Sequence, residues 1–387
     1  MKKKQDTLIV NAGRNPDANF GIVNPPVYHA STILYSTLDA VRTRKQPFTY
    51  GRRGTPTSAA LQEAIAELEG GYRTLLTPSG LSAVTTALLA HLKSGDHLLM
   101  TDSVYEPSRQ FCERVLRRYG IDVEYYDPCI GSGIGALIKP NTAVVFAESP
   151  GSVTFEVQDI PAIAEVTHKS GAILMLDNTW ASPLYFKPFD HGVDISIQAV
   201  TKYLCGHSDV MMGAITTTET SWRETIANHG ALGLCAAPDD IYLVLRGIRT
   251  LAVRMERHMK TGLILAEWLA GRPEVARVIH PALPNHAGNA IWRRDFTGAS
   301  GLFAIELNPA SEAALAAMLD GLELFGMGYS WGGFESLIIP QDPTRIRTVT
   351  KWEAAGPMLR LHAGLEDPAD LTADLEAGFE RLRACNQ

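Results

Sequence analysis

Runs of consecutive apolar residues alternate along this chain with segments of helical spacing, and that alternation restricts the fold more than any other feature. The runs lie at 97–100 (His-Leu-Leu-Met), 142–147 (Thr-Ala-Val-Val-Phe-Ala), 172–176 (Ala-Ile-Leu-Met-Leu) and 195–197 (Ile-Ser-Ile). Between them the spacing predicts helices over 81–93, 106–119 and 160–170. An earlier helix begins at Thr57, carries Leu61, Ile65 and Leu68 on one face, and stops at Gly70-Gly71. A strand that is apolar on both faces must be covered on both faces, so the fold class is α/β with a mostly parallel sheet.

The texture changes after a long helix over 250–270, marked by Leu251, Met255, Met259 and Leu263. Residues 301–307, 337–339 and 358–361 read as strands and 311–324 as a helix. The last helix opens with Asp367 as cap and Pro368 at its first position. We expect a large domain over 56–249 and a smaller C-terminal α+β domain over 250–387. Residues 1–55 lack periodicity and form an irregular N-terminal arm. That arm still carries Tyr28, Tyr35, Phe48 and Tyr50, so it should pack on something.

Composition excludes several classes. In 387 residues, 45% are hydrophobic and 20% charged, which is ordinary for a globular chain and argues against disorder. The formal net charge of −7 offers no basic face for nucleic acid. The longest apolar run, Leu81 to Leu92, is interrupted by Ser82, Thr85, Thr86 and His91, well short of a membrane span of ~20 residues. Lys2, Lys3 and Lys4 precede only Thr7-Leu8-Ile9-Val10, too short an apolar stretch for a secretory signal. Five cysteines, with no pair spaced as CxxC, predict neither a disulfide framework nor a protein-ligated metal. The expected location is the cytoplasm.

Each apolar run ends in polar residues: Thr101-Asp102-Ser103, Glu148-Ser149-Pro150, Asp177-Asn178-Thr179-Trp180 and Thr201-Lys202. Ligands of open α/β sheets bind beyond the carboxyl ends of strands, so these residues point to one shared site. Ser79-Gly80-Leu81 opens a helix, where free backbone N–H groups suit a phosphate and Gly80 permits close approach. A simple serine cap would look the same. Asp177 ends the most apolar run, where a carboxylate is costly without a cation or donors; capping the next turn is the competing use. Lys202 sits among small and apolar residues at a strand end, where desolvation makes an amine nucleophilic; a plain surface lysine is the alternative. Together, a phosphate cradle, a carboxylate and a desolvated lysine on one sheet are the parts of a pyridoxal 5'-phosphate site, with the lysine as Schiff-base partner and the acid beside the pyridine nitrogen.

Gly131-Ser-Gly-Ile-Gly-Ala136 fits a dinucleotide-binding fingerprint after the strand-like Val123–Tyr126. That fingerprint needs a helix to follow, and Pro140 leaves no room for one. We expect a flexible loop there.

Tyr50-Gly51-Arg52, Ser79-Gly80-Leu81, Asp102-Ser-Val-Tyr105, Asp177-Asn-Thr-Trp180 and Gln198-Ala-Val-Thr-Lys-Tyr-Leu-Cys-Gly-His-Ser-Asp209 resemble the Cys/Met-metabolism family of pyridoxal phosphate enzymes, in the family's order and across essentially the whole chain. The resemblance implies fold type I of these enzymes, with a seven-stranded, mostly parallel sheet. It also implies a homotetramer of two dimers with active sites shared between two subunits. Tyr50 and Arg52 would then reach the neighbour's cofactor phosphate. Gly80, Leu81 and Thr201 would hold the phosphate from the home subunit, Tyr105 would stack on the pyridine ring, Asp177 would pair with its nitrogen, and Lys202 would hold the cofactor covalently.

Within the family, Tyr329-Ser330-Trp331, Glu148-Ser-Pro-Gly-Ser152, Tyr105-Glu-Pro107 and Arg360-Leu-His-Ala-Gly-Leu-Glu-Asp367 are similar to the bacterial branch that eliminates at Cβ of cystathionine. This implies a carbon–sulfur lyase of methionine biosynthesis, acting on a small amino-acid thioether. Arg360 would clamp the substrate α-carboxylate, aided by Ser330 and Trp331. Lys202 would move the protons, with Tyr105 as the second catalytic candidate. The alternatives are γ-elimination or sulfhydrylation on the same fold, and a catalytically silent binding protein.

Overall fold

The computed structural model describes residues 3–386. Eleven strands among them form two sheets. In chain order the first seven are β1 (Arg73–Thr77), β2 (His97–Thr101), β3 (Asp122–Tyr126), β4 (Thr142–Glu148), β5 (Ile173–Asp177), β6 (Ile195–Gln198) and β7 (Gly213–Thr217). They assemble in the order β1-β7-β6-β5-β4-β2-β3. Pairing is parallel from β3 to β6; only β7 runs antiparallel, against both β1 and β6. The second sheet, of β8 (Val275–Ile279), β9 (Leu302–Leu307), β10 (Leu337–Gln341) and β11 (Met358–His362), is antiparallel in the order β10-β11-β9-β8.

Continuous burial explains the apolar runs. Leu98, Leu99, Met100, Val144, Val145, Phe146, Leu174, Met175 and Leu176 are wholly inaccessible, with one core on each face of the parallel sheet. Helices Gly80–His91 and Ile160–Lys169 supply the covering layers on opposite faces. The antiparallel sheet has its own core with Leu265 and Leu269 of helix Leu251–Ala270 and with Leu371, Leu375 and Phe379 of helix Pro368–Cys385. Asp367 caps that last helix by accepting from Ala369 N–H at 2.9 Å.

Several elements differ from expectation. The first 55 residues are not wholly irregular: they contain helices Gln5–Asn11 and Leu38–Thr43. The first is too short to show periodicity and is stabilised by distant residues. Ile9 is buried, and the Arg249 guanidinium donates to the carbonyls of Ile9 (3.0 Å) and Ala12 (2.8 Å), which the helix end leaves unpaired. The 311–324 helix is confined to Glu312–Asp320, followed by Gly321. The 106–119 segment is a regular helix only over Glu106–Phe111; a wider and then a tighter turn follow. The glycine-rich 131–136 stretch is a 3-10 helix, Gly131–Leu137, anchored by buried Ile134 rather than a loose loop. The strands β7 and β8 and the helix Glu219–Ala231 carry no run or spacing that singled them out, whereas helix Pro238–Ile248 has Ile241, Val244, Leu245 and Ile248 at helical spacing and was passed over.

Candidate active site

The parallel sheet delivers its strand ends to one place. Glu148 and Asp177, the last residues of β4 and β5, are register partners. The chain after β6 turns through 199–202, with Lys202 N–H donating to Ala199 C=O at 3.0 Å. The helix Gly80–His91 starts against that turn. A Cβ on Gly80 would lie 2.7 Å from Ala199 Cβ, so only glycine admits this approach. Ser79 caps the helix by accepting from Ser82 N–H at 3.1 Å. The capping use and an anion site are compatible, because the first-turn amides of Gly80 and Leu81 still have no acceptor within the helix.

Asp177 is half-buried. Its Oδ1 accepts from Thr179 N–H at 3.0 Å and from the Thr179 hydroxyl, whose oxygen accepts in turn from Ala199 N–H at 2.9 Å. This chain ties the carboxylate to the lysine turn. No hydrogen bond or ion pair among the described residues engages its Oδ2. Burial raises its carboxyl above the ordinary range against those donors. Glu148 also lies high, first through burial and then through Asp177 beside it; its Oε2 accepts from Tyr105 N–H at 2.8 Å.

Lys202 Nζ donates to Ser330 Oγ at 2.9 Å and lies 5.1 Å from the centre of the Trp331 ring. Burial, with the positive charge of Arg360, pulls its ammonium down to about 8, while Asp177 opposes the shift. Gly332 has φ +91°, and a Cβ there would meet the Lys202 backbone at 3.0 Å. The 330–332 loop can cross Lys202 only with glycine at that point.

Arg360, in the middle of β11, donates to Tyr329 C=O at 2.8 Å and has no carboxylate partner among the described residues. Burial lowers its guanidinium to about 10. The Tyr105 phenol is pushed up first by burial and then by Glu148, with Arg360 opposing. Tyr105, Asp177, Lys202 and Arg360 thus lie close enough to shift one another's charge equilibria.

Two expected residues are not brought to this cluster. Arg52 donates to Gly230 C=O at 3.1 Å and lies over the ring of Tyr50, and neither touches Lys202, Asp177 or Thr201 among the described contacts. Thr201 is in place beside Lys202, but its hydroxyl donates to Met212 C=O at 3.2 Å and accepts from Met212 N–H at 2.9 Å. Sequence reasoning placed Glu148 among the strand ends without a role and passed over Glu69. The Glu69 carboxylate lies under the site, accepting from Ser196 Oγ (2.8 Å) and Gln198 Nε2 (2.6 Å). Only Gly70-Gly71 hinted that its helix ends there.

Residues 6–380 match the family described as Cys/Met metabolism PLP-dependent enzymes. The chain belongs to this family. A Rhizobium johnstonii relative, provisionally named a cystathionine beta-lyase, is 52% identical over 99% of this chain and 100% of its own. The cystathionine beta-lyase MetC of Escherichia coli is 46% identical over 98% of this chain and 99% of its own. Among solved structures, the cystathionine gamma synthase of Xanthomonas oryzae superposes with a TM-score of 0.91 at 32% identity, covering 100% of both chains. Cys/Met metabolism enzymes of one fold therefore carry more than one reaction, and the fold alone does not choose between them.

Proposed function

We propose that this PLP-dependent enzyme cleaves L-cystathionine by β-elimination, taking up water to yield homocysteine, pyruvate and ammonia. Cystine and other cysteine S-conjugates present the same Cα and Cβ and fall within its reach. The observation that carries the reading is the placement of the Ser330-Trp331 pair against Lys202 in a chain 46% identical to a cystathionine beta-lyase over nearly its full length.

The residues present fit pyridoxal phosphate. Asp177 offers a carboxylate oxygen without a partner, as a pyridinium N–H requires, and burial makes that contact valuable. The amides of Gly80 and Leu81 open the helix and would bind the phosphate, and Gly80 lets that helix start pack directly against the Ala199–Lys202 turn. The Thr201 hydroxyl would exchange Met212 for a phosphate oxygen. Tyr105 would cover the ring, and Lys202 would anchor the cofactor covalently. When bound, the cofactor supplies an electron sink for the bonds at Cα.

The chain's own residues do the rest. Arg360, a cation with no carboxylate of its own, would hold the substrate α-carboxylate, with Ser330 beside it. Lys202 would take the Cα proton and return one to the departing sulfur. An amine near 8 can do both close to neutrality, whereas burial puts the Tyr105 phenol above its usual range and leaves it the weaker candidate.

We read residues 1–55 as an arm that joins two subunits of a homotetramer, ahead of domains over 56–249 and 250–387. Phe20 is 99% and Leu34 85% exposed on this arm, an apolar surface a second copy would cover. Tyr50 and Arg52, away from the home cluster, would serve the neighbouring site. No helix among the described residues is long and apolar enough to cross a membrane. Free thiols at all five cysteines accord with a cytoplasmic enzyme.

The deciding experiment identifies the keto acid released from L-cystathionine by mass spectrometry. Pyruvate with homocysteine is expected. 2-Oxobutyrate with cysteine would overturn the reading in favour of γ-elimination.

A further inference from the structure

Outside the residues assigned above, the densest buried polar cluster gathers on Asp102, the residue after β2. Its side chain is inaccessible to solvent. It accepts from three consecutive backbone N–H groups, Thr348 (3.1 Å), Val349 (3.0 Å) and Thr350 (3.0 Å). It also accepts from the Thr348 and Thr350 hydroxyls at 3.0 and 3.1 Å, and from Arg109. Burial alone would raise this carboxyl, but those donors outweigh it and hold it below the ordinary range.

All the donors but Arg109 belong to the 342–352 strap, part of the connection from β10 to β11. The Arg347 side chain in the strap is 2% exposed; it bonds Glu156 and Thr154 and stands 4.0 Å from Asp102. It thereby grips the loop after β4, in which Val153 (φ +70°) and Phe155 (φ +57°) adopt a conformation that such side chains disfavour. Ser152 N–H donates to Ser103 C=O at 2.8 Å, tying that loop back to the Asp102 turn. The far end of the strap is fixed by Trp352, whose indole N–H donates to Glu306 of β9 at 2.8 Å.

The two flanks of this cluster face the active site. Three residues past Asp102 is Tyr105, its N–H held by Glu148. Past the strap is β11, with Arg360. We propose that Asp102 is a positioning residue for substrate: by seating the strap it sets Tyr105, in the turn after β2 of the parallel sheet, and Arg360, in β11 of the antiparallel sheet, at the spacing the amino-acid substrate needs. A buried polar network of this kind specifies an arrangement more than it adds stability. This rests on the β-lyase reading only through the choice of substrate.

The test compares the holoenzyme with Asp102→Ala, Asp102→Asn and the double variant Thr348→Val/Thr350→Val. For Asp102→Ala we expect KM for cystathionine to rise about ten- to hundredfold with kcat within about threefold, the scale of lost hydrogen bonds to a charged group. Cofactor content should stay at the wild-type level, and trypsin should cut after Arg345 or Arg347 faster. Asparagine keeps one accepting oxygen but sets an NH2 donor where the other carboxylate oxygen accepts, so Asp102→Asn should recover only part of the KM. The threonine double variant covers the case in which Asp102→Ala fails to fold, and should shift KM the same way by a smaller factor. An unchanged KM with unchanged tryptic cutting would overturn the proposal, as would a loss confined to kcat or to cofactor content. If the wild type leaves cystathionine intact, the β-lyase reading fails separately, and tryptic cutting together with spectral titration by L-alanine still decides the role of Asp102.

Discussion

Lys202 Nζ and Ser330 Oγ meet at 2.9 Å, and this contact joins the turn after β6 to the loop that precedes β10. The lysine comes from the parallel sheet and the serine from the segment leading into the antiparallel one. The amine is therefore held between the two halves of the site, not carried by one. Replacing Lys202 with alanine should abolish keto-acid release while far-UV circular dichroism and Tm stay close to the wild type. Normal turnover in that variant would remove Lys202 from the chemistry.

The lowered ammonium of Lys202 gives a pH signature. Only the unprotonated amine attacks an aldehyde, so reactivity is gained as pH rises through the amine's own equilibrium. Borohydride trapping of pyridoxal on the cofactor-free protein, followed at Lys202 by peptide mass spectrometry, should therefore rise with a midpoint near pH 8. Arg360 contributes to that lowering, so Arg360→Leu should move the midpoint upward. A midpoint near 10, the ordinary lysine range, would contradict the burial argument.

Arg360 should act mainly on binding. Its guanidinium donates only to backbone carbonyls, leaving its fork open for a carboxylate. Arg360→Ala is expected to raise KM by about ten- to hundredfold or more, and Arg360→Lys should recover only part, because an ammonium cannot pair bidentately. Steady-state kinetics with an unchanged KM in both variants would refute the clamp.

Asp177 should govern rate more than occupancy. Asp177→Asn keeps an acceptor for Thr179 but loses the negative charge proposed to face the cofactor nitrogen. A fall in kcat of about a hundred- to a thousandfold is expected, on the scale of removing one preorganised electrostatic group. The bound-cofactor absorbance should persist, since Lys202 and the helix start still hold the group. Wild-type kcat in this variant would dissociate Asp177 from the chemistry.

Glu69 supplies a stability signature separate from catalysis. Burial raises its carboxyl to about 7 from an ordinary 4.5. The folded chain therefore keeps a proton that the unfolded chain has lost between those values. Its contribution is fully present below pH 4.5 and disappears as pH rises through 7. Relative to Glu69→Gln, the wild type should lose a few kcal/mol of stability over that interval, on the order of 1.36 kcal/mol per pH unit. Parallel Tm–pH curves for the two proteins would show that Glu69 does not titrate in this way.

Much was legible in the chain because the signals were local. The buried runs at 97–100, 142–147, 172–176 and 195–197 became β2, β4, β5 and β6, since a strand apolar on both faces has few other places to go. Lys202, Asp177 and Gly80 stood out because each residue type was unusual where it stood, whereas Arg360 came only through the family resemblance. Strand β7, Gly-Ala-Ile-Thr-Thr, was not; its burial and direction come from β1 and β6 on either side. Helix Gln5–Asn11 was not, because Arg249 completes it from afar. Nor was any relation between Asp102 and residues 348–350, which lie some 246 positions along the chain.

The sequence by itself determined the alternating α/β layers, the phosphate-ready helix start, the strand-end carboxylate and the desolvated lysine. These follow from polarity and spacing over a few residues. Tertiary structure alone decided that Ser330 would hold Lys202, that Glu148 would stand beside Asp177 and hold Tyr105, and that the strap before Arg360 would close on Asp102. Those contacts pair groups far apart in the chain. Their energies arise only after folding has removed water from both partners, and no local pattern records which partner a buried polar group will meet.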